Sequence, residues 1–312
     1  MRALVTGGAG FIGSHLVDAL VAEGWRVAVL DNLSTGTEIN LASVMDDITF
    51  IKGDIRDRQI LEKAVEDCSV IFHLAAVVSV PQTIDHPVES ALINDLGTLH
   101  VLEEARKKNI KRVVFSSSCA VYGDDPQLPK KETMYLKPAS PYALQKMTAE
   151  HYMRLGCELY GLEAVSLRYF NVYGPRQDPS SPYSGVISIF MKMAVERKSP
   201  VIYGDGNQSR DFIYVKDVVK ANLLAAASDQ ARGKIVNIGT GSSVRINQLW
   251  DMICSLNGLT IKPQYQPSRP GDIYASVANV ECAKSFLGFE HDYPFEKGLE
   301  RTYAWYKQRQ RT

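Results

Sequence analysis

Cysteine is scarce in this chain, and its thiols are poorly placed for a metal site or a disulfide framework. The cysteines among the 312 residues are Cys68, Cys119, Cys157, Cys254 and Cys282. They form no Cys-x-x-Cys pair, and an odd, dispersed set argues against disulfides and against zinc. We therefore expect reduced thiols, no bound metal and a cytoplasmic location.

Neither an excess of charge nor a long apolar run is present. Lys and Arg number 35, as do Asp and Glu, so the formal net charge is zero. A nucleic-acid-binding protein usually carries a basic excess, so we expect no nucleic-acid partner. No stretch approaches the roughly 20 apolar residues that a membrane-spanning helix needs, so we expect no membrane partner either. The segment Met1–Thr6 already has the pattern of a strand, and no signal peptide is expected before it.

The sequence does contain an ordinary globular composition and a regular alternation of elements. Apolar residues make up 45% and charged residues 22%, as in globular domains. Strands are predicted at Ala3–Thr6, Arg26–Asp31, Thr49–Lys52, Ser69–Leu74, Arg112–Ser116 and Glu163–Arg168. Helices are predicted at Phe11–Glu23, Gly97–Lys108 and Pro141–Tyr160. Because strands that alternate with helices form βαβ units, we predict an α/β fold with a Rossmann-like, doubly wound parallel sheet.

The pattern changes near residue 170. Asn171–Gly185 contains three prolines and many polar residues, which predicts a loop, and Val186–Arg197 is predicted to be a helix. We predict a Rossmann-like domain over residues 1–170 and a smaller C-terminal α/β lobe over residues 171–312 that binds the substrate. Parts of about 205–240 are expected to return to the first domain.

A glycine-rich loop follows the first strand. Gly7, Gly10 and Gly13 have the spacing of a dinucleotide-binding loop. Glycines at these points permit a tight turn, a close approach of the backbone to a diphosphate and close packing of helix on sheet. Free N–H groups at the helix N-terminus then face the anion. We predict cofactor contacts from Gly7, Gly10, Phe11, Ile12 and Gly13.

Asp31 ends the second predicted strand, where an acid can accept hydrogen bonds from both ribose hydroxyls of an adenine nucleotide. The same carboxylate would repel the 2′-phosphate of NADP, and the next residues, Asn32 and Leu33, supply no positive charge to bind it. The sequence therefore favours NAD as the cofactor. Asp54 and Ile55, after the third strand, are expected at the adenine edge.

A serine, a tyrosine and a lysine are the candidate catalytic residues. Tyr142 and Lys146 lie four positions apart on one predicted helix, so they face the same side, and Ser118 comes just after the fifth strand. A free phenol has a pKa of about 10, and lowering it by ~3 requires about 4 kcal/mol, to which an ammonium and a nicotinamide cation can both contribute. We predict that Ser118, Tyr142 and Lys146 reversibly remove a hydroxyl proton while a hydride goes to the nicotinamide.

These residues and several further segments resemble the extended short-chain dehydrogenase/reductase family over essentially the full chain. The segments are His73-Leu74-Ala75-Ala76, Tyr169-Phe170-Asn171, Arg210-Asp211-Phe212 and Arg269-Pro270-Gly271-Asp272. They are most similar to the nucleotide-sugar branch and, within it, to UDP-hexose 4-epimerases. The resemblance implies further cofactor contacts at Asn32, Ser34, Gly36, Leu74, Ala75, Ala76, Asn94, Ser116 and Tyr169.

The resemblance also narrows the reaction. Dehydratase relatives carry Asp-Glu directly after the serine, whereas Cys119 and Ala120 stand there in this chain and cannot exchange a proton in that role. Elimination is therefore disfavoured, and 4-epimerisation is implied. Tyr142, as the phenolate, would take the proton from the sugar O4 while the C4 hydride moves to NAD. The resulting 4-keto sugar would rotate within the site and take the hydride back on its other face. We interpret Cys119 as a packing residue.

The implied substrate is a UDP-sugar. Arg210 and Arg269 align with arginines that bind the diphosphate, and Asn171 aligns with another phosphate contact. Val186, Ile187, Val201 and Tyr203 align with segments beside the uracil, although the apolar residues fit a core role nearly as well. The remaining predicted contacts are Ser79, Asp272 and Ser276.

Ser276 bears on which sugar is bound. Relatives restricted to glucose and galactose commonly carry tyrosine at this position, and a serine there leaves room for an acetamido group. We therefore expect interconversion of UDP-N-acetylglucosamine and UDP-N-acetylgalactosamine, and of UDP-glucose and UDP-galactose. The alternatives are a UDP-uronic acid 4-epimerase, another NAD-dependent nucleotide-sugar oxidoreductase, and a non-catalytic dinucleotide sensor, which would not need Ser118, Tyr142 and Lys146 together.

Assembly is predicted from the same resemblance. The family commonly dimerises by packing two long helices from each subunit, which here correspond to about Asn94–Lys108 and Pro141–Tyr160. We expect a C2 homodimer. Candidate outward-facing residues on these helices are Leu99, Leu102, Met153 and Leu155, and a position against the sheet fits them equally well.

Overall fold

The computed structural model of the chain describes residues 1–179, 185–268 and 273–310. The strands are β1 (Arg2–Thr6), β2 (Arg26–Asp31), β3 (Ile48–Lys52), β4 (Val70–His73), β5 (Arg112–Ser118), β6 (Glu163–Tyr169), β7 (Asn171–Tyr173), β8 (Val201–Tyr203), β9 (Ser209–Arg210), β10 (Phe212–Tyr214), β11 (Ile235–Ile238), β12 (Val244–Arg245), β13 (Gln264–Gln266) and β14 (Ala275–Ser276). The α-helices are α1 (Phe11–Ala22), α2 (Arg58–Ala64), α3 (Val80–Asp85), α4 (Pro87–Ala91), α5 (Thr98–Lys107), α6 (Pro141–Tyr160), α7 (Val186–Val195), α8 (Val215–Ala227), α9 (Ile246–Asn257), α10 (Glu281–Leu287) and α11 (Phe295–Arg309). A π-helical stretch, Leu92–Gly97, joins α4 to α5, and a 3-10 turn, Cys119–Tyr122, follows β5.

A parallel sheet of seven strands forms the centre of the molecule. Its order is β11-β6-β5-β4-β1-β2-β3, and every neighbouring pair is parallel. The strands are apolar on both faces because one face packs against α1 and α8 and the other against α2, α5 and α6. This is the doubly wound Rossmann-like sheet that the sequence predicts.

The strand order determines where a ligand can bind. Chain order runs outward in opposite directions from β1, so β1 and β4 border the switch point of the sheet. Ligands of open α/β sheets bind beyond the carboxyl ends of the strands at such a point. The glycine loop after β1, the segment after β4 and Ser118 at the end of β5 all lie at this edge.

The second lobe is built from small sheets around its own apolar core. β7 pairs with β10, β12-β9-β14 form a three-stranded sheet, and β8 pairs with β13. The core between them and α7, α9 and α11 includes Phe190, Trp250 and Leu299. The loop predicted for Asn171–Gly185 is wrong at its start, because Asn171–Tyr173 form β7 in parallel with β10. The prolines that suggested a loop all come after Tyr173.

Two of the four candidate outward-facing residues take the alternative position against the sheet. Leu102 is 7% exposed and Met153 is 2% exposed, and both belong to the core beneath the sheet. They lie on the faces of α5 and α6 that cover the strands. The exposed apolar side chains of this region include Leu92, Leu96 and Leu144.

The described residues contain neither a membrane-spanning helix nor a metal-binding cluster. Over residues 1–179, 185–268 and 273–310, every helix is too short or too polar to cross a lipid bilayer. In the same part of the chain, no three His, Cys, Asp or Glu side chains are grouped so that they could hold a metal ion.

Candidate active site

The glycine loop is packed between the ends of β1, β4 and α1. The φ of Gly7 is +71°, a conformation that residues other than glycine rarely adopt. A Cβ on Gly7 would lie 2.8 Å from the backbone nitrogen of Ala75, and a Cβ on Gly13 would lie 2.2 Å from the Gly7 carbonyl oxygen. Leu74, Ala75 and Ala76 form the segment that leaves β4 opposite this loop. Glycine at both positions is therefore what allows the three elements to approach.

The N-terminus of α1 has the features of an anion site. Gly10 precedes the helix without a side-chain cap, and the first turn, which holds Phe11 and Ile12, contains no acidic residue. The first N–H groups of the helix have no partner within it. A Cβ built on Gly10 would have one neighbouring atom within 4 Å, the Gly7 carbonyl oxygen at 3.2 Å. The space beside Gly10 is therefore largely open. This open cradle of backbone fits the diphosphate of a dinucleotide such as NAD.

Asp31 ends β2 beside the loop and organises the backbone around it. One carboxylate oxygen accepts from the Ala9 N–H at 2.9 Å, and the other accepts from the Leu33 N–H at 2.8 Å. Each carboxylate oxygen has a second lone pair, so a ribose diol can be bound as well. A Cβ on Gly36 would lie 2.8 Å from the Ala9 carbonyl carbon, so the segment after β2 packs closely on the glycine loop.

A polar cluster after β3 lies next to Asp31. Asp54 accepts from Asn32 Nδ2 at 3.0 Å and from Arg56 Nε and Nη2 at 2.9 and 2.8 Å. The hydrogen bond with Arg56 is the main reason that the pKa of Asp54 falls to about 2. Asn32 in turn accepts from the Ser34 N–H at 3.0 Å. Ile55 does not join this cluster, because its side chain is buried in the core.

Three residues predicted to contact the cofactor use their side chains within the protein. The Asn94 amide bonds the Val77 N–H and carbonyl oxygen at 2.8 and 2.9 Å and Gln145 Oε1 at 2.7 Å. The Tyr169 hydroxyl bonds Ser116 Oγ at 3.0 Å and is buried. These side chains fix the backbone that surrounds the site, and the sequence pattern alone did not reveal that role.

Tyr142, Lys146 and Ser118 come together at the carboxyl end of β5. Ser140 caps α6, so Tyr142 lies in the first turn of the helix, and its phenol is close enough to Ser118 for that side chain to act on the pKa of the phenol. Lys146 Nζ donates to the Ser116 carbonyl oxygen at 2.8 Å and lies 5.9 Å from the centre of the Tyr142 ring. The structure thus places side by side the three residues predicted to be catalytic.

Burial acts against both charges that the chemistry requires. It raises the pKa of Tyr142 to about 12, while Ser118 acts in the opposite direction. It also lowers the pKa of Lys146 to about 8, against the influence of the Glu150 carboxylate. At neutral pH Lys146 therefore carries its charge, whereas Tyr142 is a neutral phenol until more positive charge approaches.

Arg210 and Ser276 are neighbours in the small sheet of the second lobe. β9 and β14 run in parallel with Arg210 opposite Ser276. The next residue, Asp211, is fully buried and accepts from the N–H groups of Thr240 and Ala278 at 2.8 and 3.0 Å. Its carboxylate therefore anchors β9 to the segment after β14, which holds Arg210 and Ser276 in one place.

Cys119 connects this pair to the catalytic trio. It follows Ser118 directly in the chain, and Ser276 and the positive charge of Arg210 both act to lower the pKa of its thiol. Burial raises the pKa of the thiol to about 11, so it is a small, neutral group between Ser118 and Ser276. This agrees with the interpretation of Cys119 as a packing residue, although the sequence did not reveal that it lies beside Ser276.

The other residues predicted to bind substrate are distributed around the second lobe. Asn171 donates through its backbone N–H and Nδ2 to the Asp211 carbonyl oxygen at 3.0 and 3.2 Å. Ile187 is buried in the core of that lobe, which is the core role left open above. Three further predicted substrate contacts are half-buried. Val186 lies at the start of α7, and Val201 and Tyr203 lie on β8.

Ser79 lies at the start of α3. It caps α3 by accepting from the Gln82 N–H at 3.3 Å, and Thr83 of the same helix accepts from the Tyr142 N–H at 3.2 Å. Ser79 is thereby attached to the first turn of the catalytic helix. Arg269 and Asp272, also predicted to bind substrate, lie outside the described residues.

Comparison with known proteins identifies the family of this chain. A sequence model of the NAD dependent epimerase/dehydratase family matches residues 3–239. The chain belongs to the NAD-dependent epimerase/dehydratase family. The family and the cofactor, NAD, that the sequence predicts are thereby confirmed.

Relatives of the epimerase/dehydratase family match along the whole chain. A UDP-N-acetylglucosamine 4-epimerase from Methanobrevibacter ruminantium M1, solved with UDP-N-acetylmuramic acid, has a TM-score of 0.95 at 44% identity, covering 99% of this chain and 98% of that one. A UDP-glucose 4-epimerase from Thermotoga maritima, solved with UDP-glucose, has a TM-score of 0.95 at 38% identity, covering 99% and 100%. A UDP-glucose 4-epimerase from Mycolicibacterium smegmatis is 38% identical over 311 residues, covering 98% and 99%.

Two buried charges of this family member were not anticipated from its sequence. Glu150 lies on α6 two turns beyond Tyr142, and Arg168 lies on β6. They form an ion pair at 2.7 Å with both side chains 2% exposed. The position of Glu150 on the same helix face as Tyr142 and Lys146 was the signal that could have identified it.

Proposed function

We propose that this protein is a UDP-sugar 4-epimerase that uses tightly bound NAD. The observation that carries the proposal is the Tyr142 phenol, which lies beside Ser118 at the sheet edge that also holds the glycine loop. The residues after Ser118 are Cys119 and Ala120, and neither can act as the second acid or base that water loss requires. One proton-transfer residue suits an oxidation that is reversed in the same site.

Each residue of the trio has a distinct task in the proposed reaction. Tyr142 takes the proton from the sugar O4 and later returns it to the 4-keto sugar on the opposite face. Ser118 holds the same oxygen and the phenol in one hydrogen-bonded arrangement. Lys146, through its buried charge, favours the phenolate and would hold the nicotinamide ribose, while Gly10, Gly13 and Asp31 would hold the diphosphate and the adenine ribose. When bound, NAD supplies the acceptor and then the donor of the C4 hydride.

The direct test is turnover of UDP-glucose and of UDP-N-acetylglucosamine by the purified protein without added NAD. We expect epimerised product from the wild type and a loss of about 10²–10⁴-fold in kcat for Tyr142→Phe, with folding and NAD content unchanged. Tyr160→Phe, the same change at the exposed end of the same helix, is the matched control and should behave like the wild type. Near-wild-type turnover by Tyr142→Phe would refute the assignment.

We further propose that the sugar pocket accepts an N-acetylated hexose as well as a plain one. Support comes from the small side chains Ser276 and Cys119, which contact each other in the wall beside Arg210. Ser276→Tyr should lower kcat/KM for the UDP-N-acetylhexosamines by about 10–200-fold more than for the UDP-hexoses, because the ring occupies the acetamido space. Ser276→Ala is the control and should leave both pairs unchanged.

Outcomes of that assay separate the alternatives. Equal losses on both sugar pairs would show that position 276 is not the gate. Turnover of UDP-glucuronate in preference to both pairs would favour the uronate epimerase, and net release of NADH or a dependence on NADPH would favour a reductase.

We also propose a cytoplasmic C2 homodimer and a two-part organisation, with NAD bound mainly by residues 1–170 and the nucleotide sugar mainly by residues 171–312. Support for the dimer comes from Leu92, Leu96 and Leu144, which are exposed on the π-helical stretch and on α6. These two elements pack against each other, and exposed apolar side chains on neighbouring elements favour association. Light scattering that gives the mass of a monomer at working concentration would contradict it.

A further inference from the structure

The Glu150–Arg168 ion pair takes no part in the proton transfer proposed above, yet it lies directly behind it. Glu150 occupies the third position of the helix face that carries Tyr142 and Lys146, one turn beyond the lysine. Arg168 projects from β6, the strand next to the one that ends in Ser118. Burial of two charges is costly unless each is fully hydrogen-bonded, so this pair needs an explanation.

Glu150 ties the catalytic helix to two strands at once. Its Oε1 accepts from Ser117 Oγ at 2.5 Å and from Arg168 Nε at 2.8 Å, and its Oε2 accepts from Arg168 Nη2 at 2.7 Å. Ser117 is the residue immediately before Ser118 in β5. A bidentate arginine–carboxylate pair fixes distance and orientation together, so the helix face cannot shift along β5 without breaking these bonds.

Arg168 extends the same network to the turn after Ser118. Its Nη1 donates to the Tyr122 hydroxyl at 2.9 Å, and that hydroxyl donates to Asn237 Oδ1 at 2.7 Å. Tyr122 closes the 3-10 turn that Ser118 caps. Asn237 lies on β11 and donates to the Lys130 carbonyl oxygen at 2.8 Å. One buried network therefore holds both the helix of Tyr142 and the turn of Ser118.

We propose that Glu150 and Arg168 are positioning residues for the reaction, which fix Tyr142 and Lys146 of α6 against Ser118 of β5. The inference rests on the proposed function, since it assigns these two residues a part in the same proton transfer. It also gives the pair an electrostatic task, because the Glu150 carboxylate is the anion nearest to Lys146 along the helix.

The surroundings of Lys146 show why that anion matters. The groups facing its ammonium are Tyr142 and Glu150 from its own helix, Phe115 and Ser116 from β5, His73 from β4, and Arg168 behind Glu150. His73 is neutral because burial lowers its pKa to about 3. Burial lowers the pKa of Lys146, and Glu150 opposes that effect. Without Glu150 the ammonium would lose its proton at a lower pH, with the charge of Arg168 left uncompensated.

The test is Glu150→Gln, with Glu104→Gln as the matched control. Glu104 is also a buried helical glutamate in an ion pair, but it pairs with Lys107 and Arg58, not with Arg168. We expect the basic limb of the kcat–pH profile to move to lower pH by about one unit in Glu150→Gln, which is about tenfold in kcat on that limb. The profile of Glu104→Gln should keep its position.

A second measurement does not depend on turnover. Competitive acetylation of Lys146 at several pH values, followed by mass spectrometry of the NAD-free protein, reports the pKa of its amine. We expect that pKa to fall in Glu150→Gln and to stay in Glu104→Gln. If Glu150→Gln does not fold, Glu150→Gln/Arg168→Met removes the anion together with the unpaired cation and serves as the test variant.

The outcomes are distinguishable from those of the proposed function. A folded Glu150→Gln or double variant with unchanged pH profile and unchanged Lys146 acetylation would overturn the positioning role, even if Tyr142→Phe is inactive. An active Tyr142→Phe would instead overturn the proposed function itself. A shifted profile that Glu150→Asp restores would support the inference, because the shorter carboxylate returns the charge.

Discussion

The ionisation of Tyr142 should depend on the cofactor. Burial raises the pKa of this phenol to about 12, and a base that works near pH 7 must bring it down by about five pH units. That difference corresponds to about 7 kcal/mol. Without this stabilisation of the phenolate, roughly one molecule in 10⁵ would carry an ionised Tyr142 at neutral pH.

The structure supplies part of this energy. Lys146 Nζ lies 5.9 Å from the centre of the Tyr142 ring, and a unit charge at that distance contributes about 3 kcal/mol with an effective dielectric constant of about 20. The value of about 12 already includes the effect of Ser118, so about 4 kcal/mol remains for the positive nicotinamide ring. We therefore expect NAD to lower the midpoint of Tyr142 ionisation by up to about three pH units.

Ultraviolet difference titration measures this directly. The phenolate signal is recorded against Tyr142→Phe, with and without NAD, so that the other tyrosines cancel. Because the base must be deprotonated, the activity should rise with pH through the same midpoint as the NAD-loaded signal. If the loaded and NAD-free proteins titrate alike, or if the loaded protein shows no phenolate near neutral pH, the reasoning about burial and charge is wrong.

Three further predictions follow from the same geometry. Asp31→Ala should weaken NAD binding by about tenfold or more, since it removes charge-assisted hydrogen bonds, and should relax the rejection of NADP; wild-type protein that binds both cofactors equally in a fluorescence titration would contradict this. Lys146→Ala should reduce both turnover and NAD affinity, whereas Ser118→Ala should reduce turnover less than Tyr142→Phe. Kinetics and cofactor titration measure these effects, and a greater loss of turnover in Ser118→Ala than in Tyr142→Phe would show that the roles are misassigned. Leu96→Asp should convert the proposed dimer to a folded monomer in light scattering, because it places a charge on an apolar surface, and an unaffected dimer would place the interface elsewhere.

Local patterns in the sequence were sufficient for the first six strands, β1 to β6, and for the glycine loop. Alternating elements predict the sheet, and the predicted limits of the helix Pro141–Tyr160 agree with α6. The i, i+4 spacing of Tyr142 and Lys146 likewise places both on one helix face. Each of these features depends on neighbours within a few turns of the chain.

Features that depend on distant segments were not accessible in this way. The contact of Cys119 with Ser276 joins residues far apart in the sequence, and the strand Asn171–Tyr173 exists because Phe212–Tyr214 pairs with it. Asn94 has a polar side chain that suits a cofactor contact, but its amide is used on Val77 and Gln145. Each of these features depends on contacts between residues that are far apart in the sequence. A local pattern of apolar and polar residues does not indicate such contacts.

The late strand β11 has a consequence for how the protein can be divided. Ile235–Ile238 completes the central sheet beside β6, although the chain has by then passed through α7 and β8 of the second lobe. A fragment that stops at residue 170 would expose β6 as an unpaired edge, and such edges recruit other strands and aggregate. The nucleotide-binding half is therefore not a detachable module, and shortened versions or chimeras need to carry β11 with them to remain monodisperse.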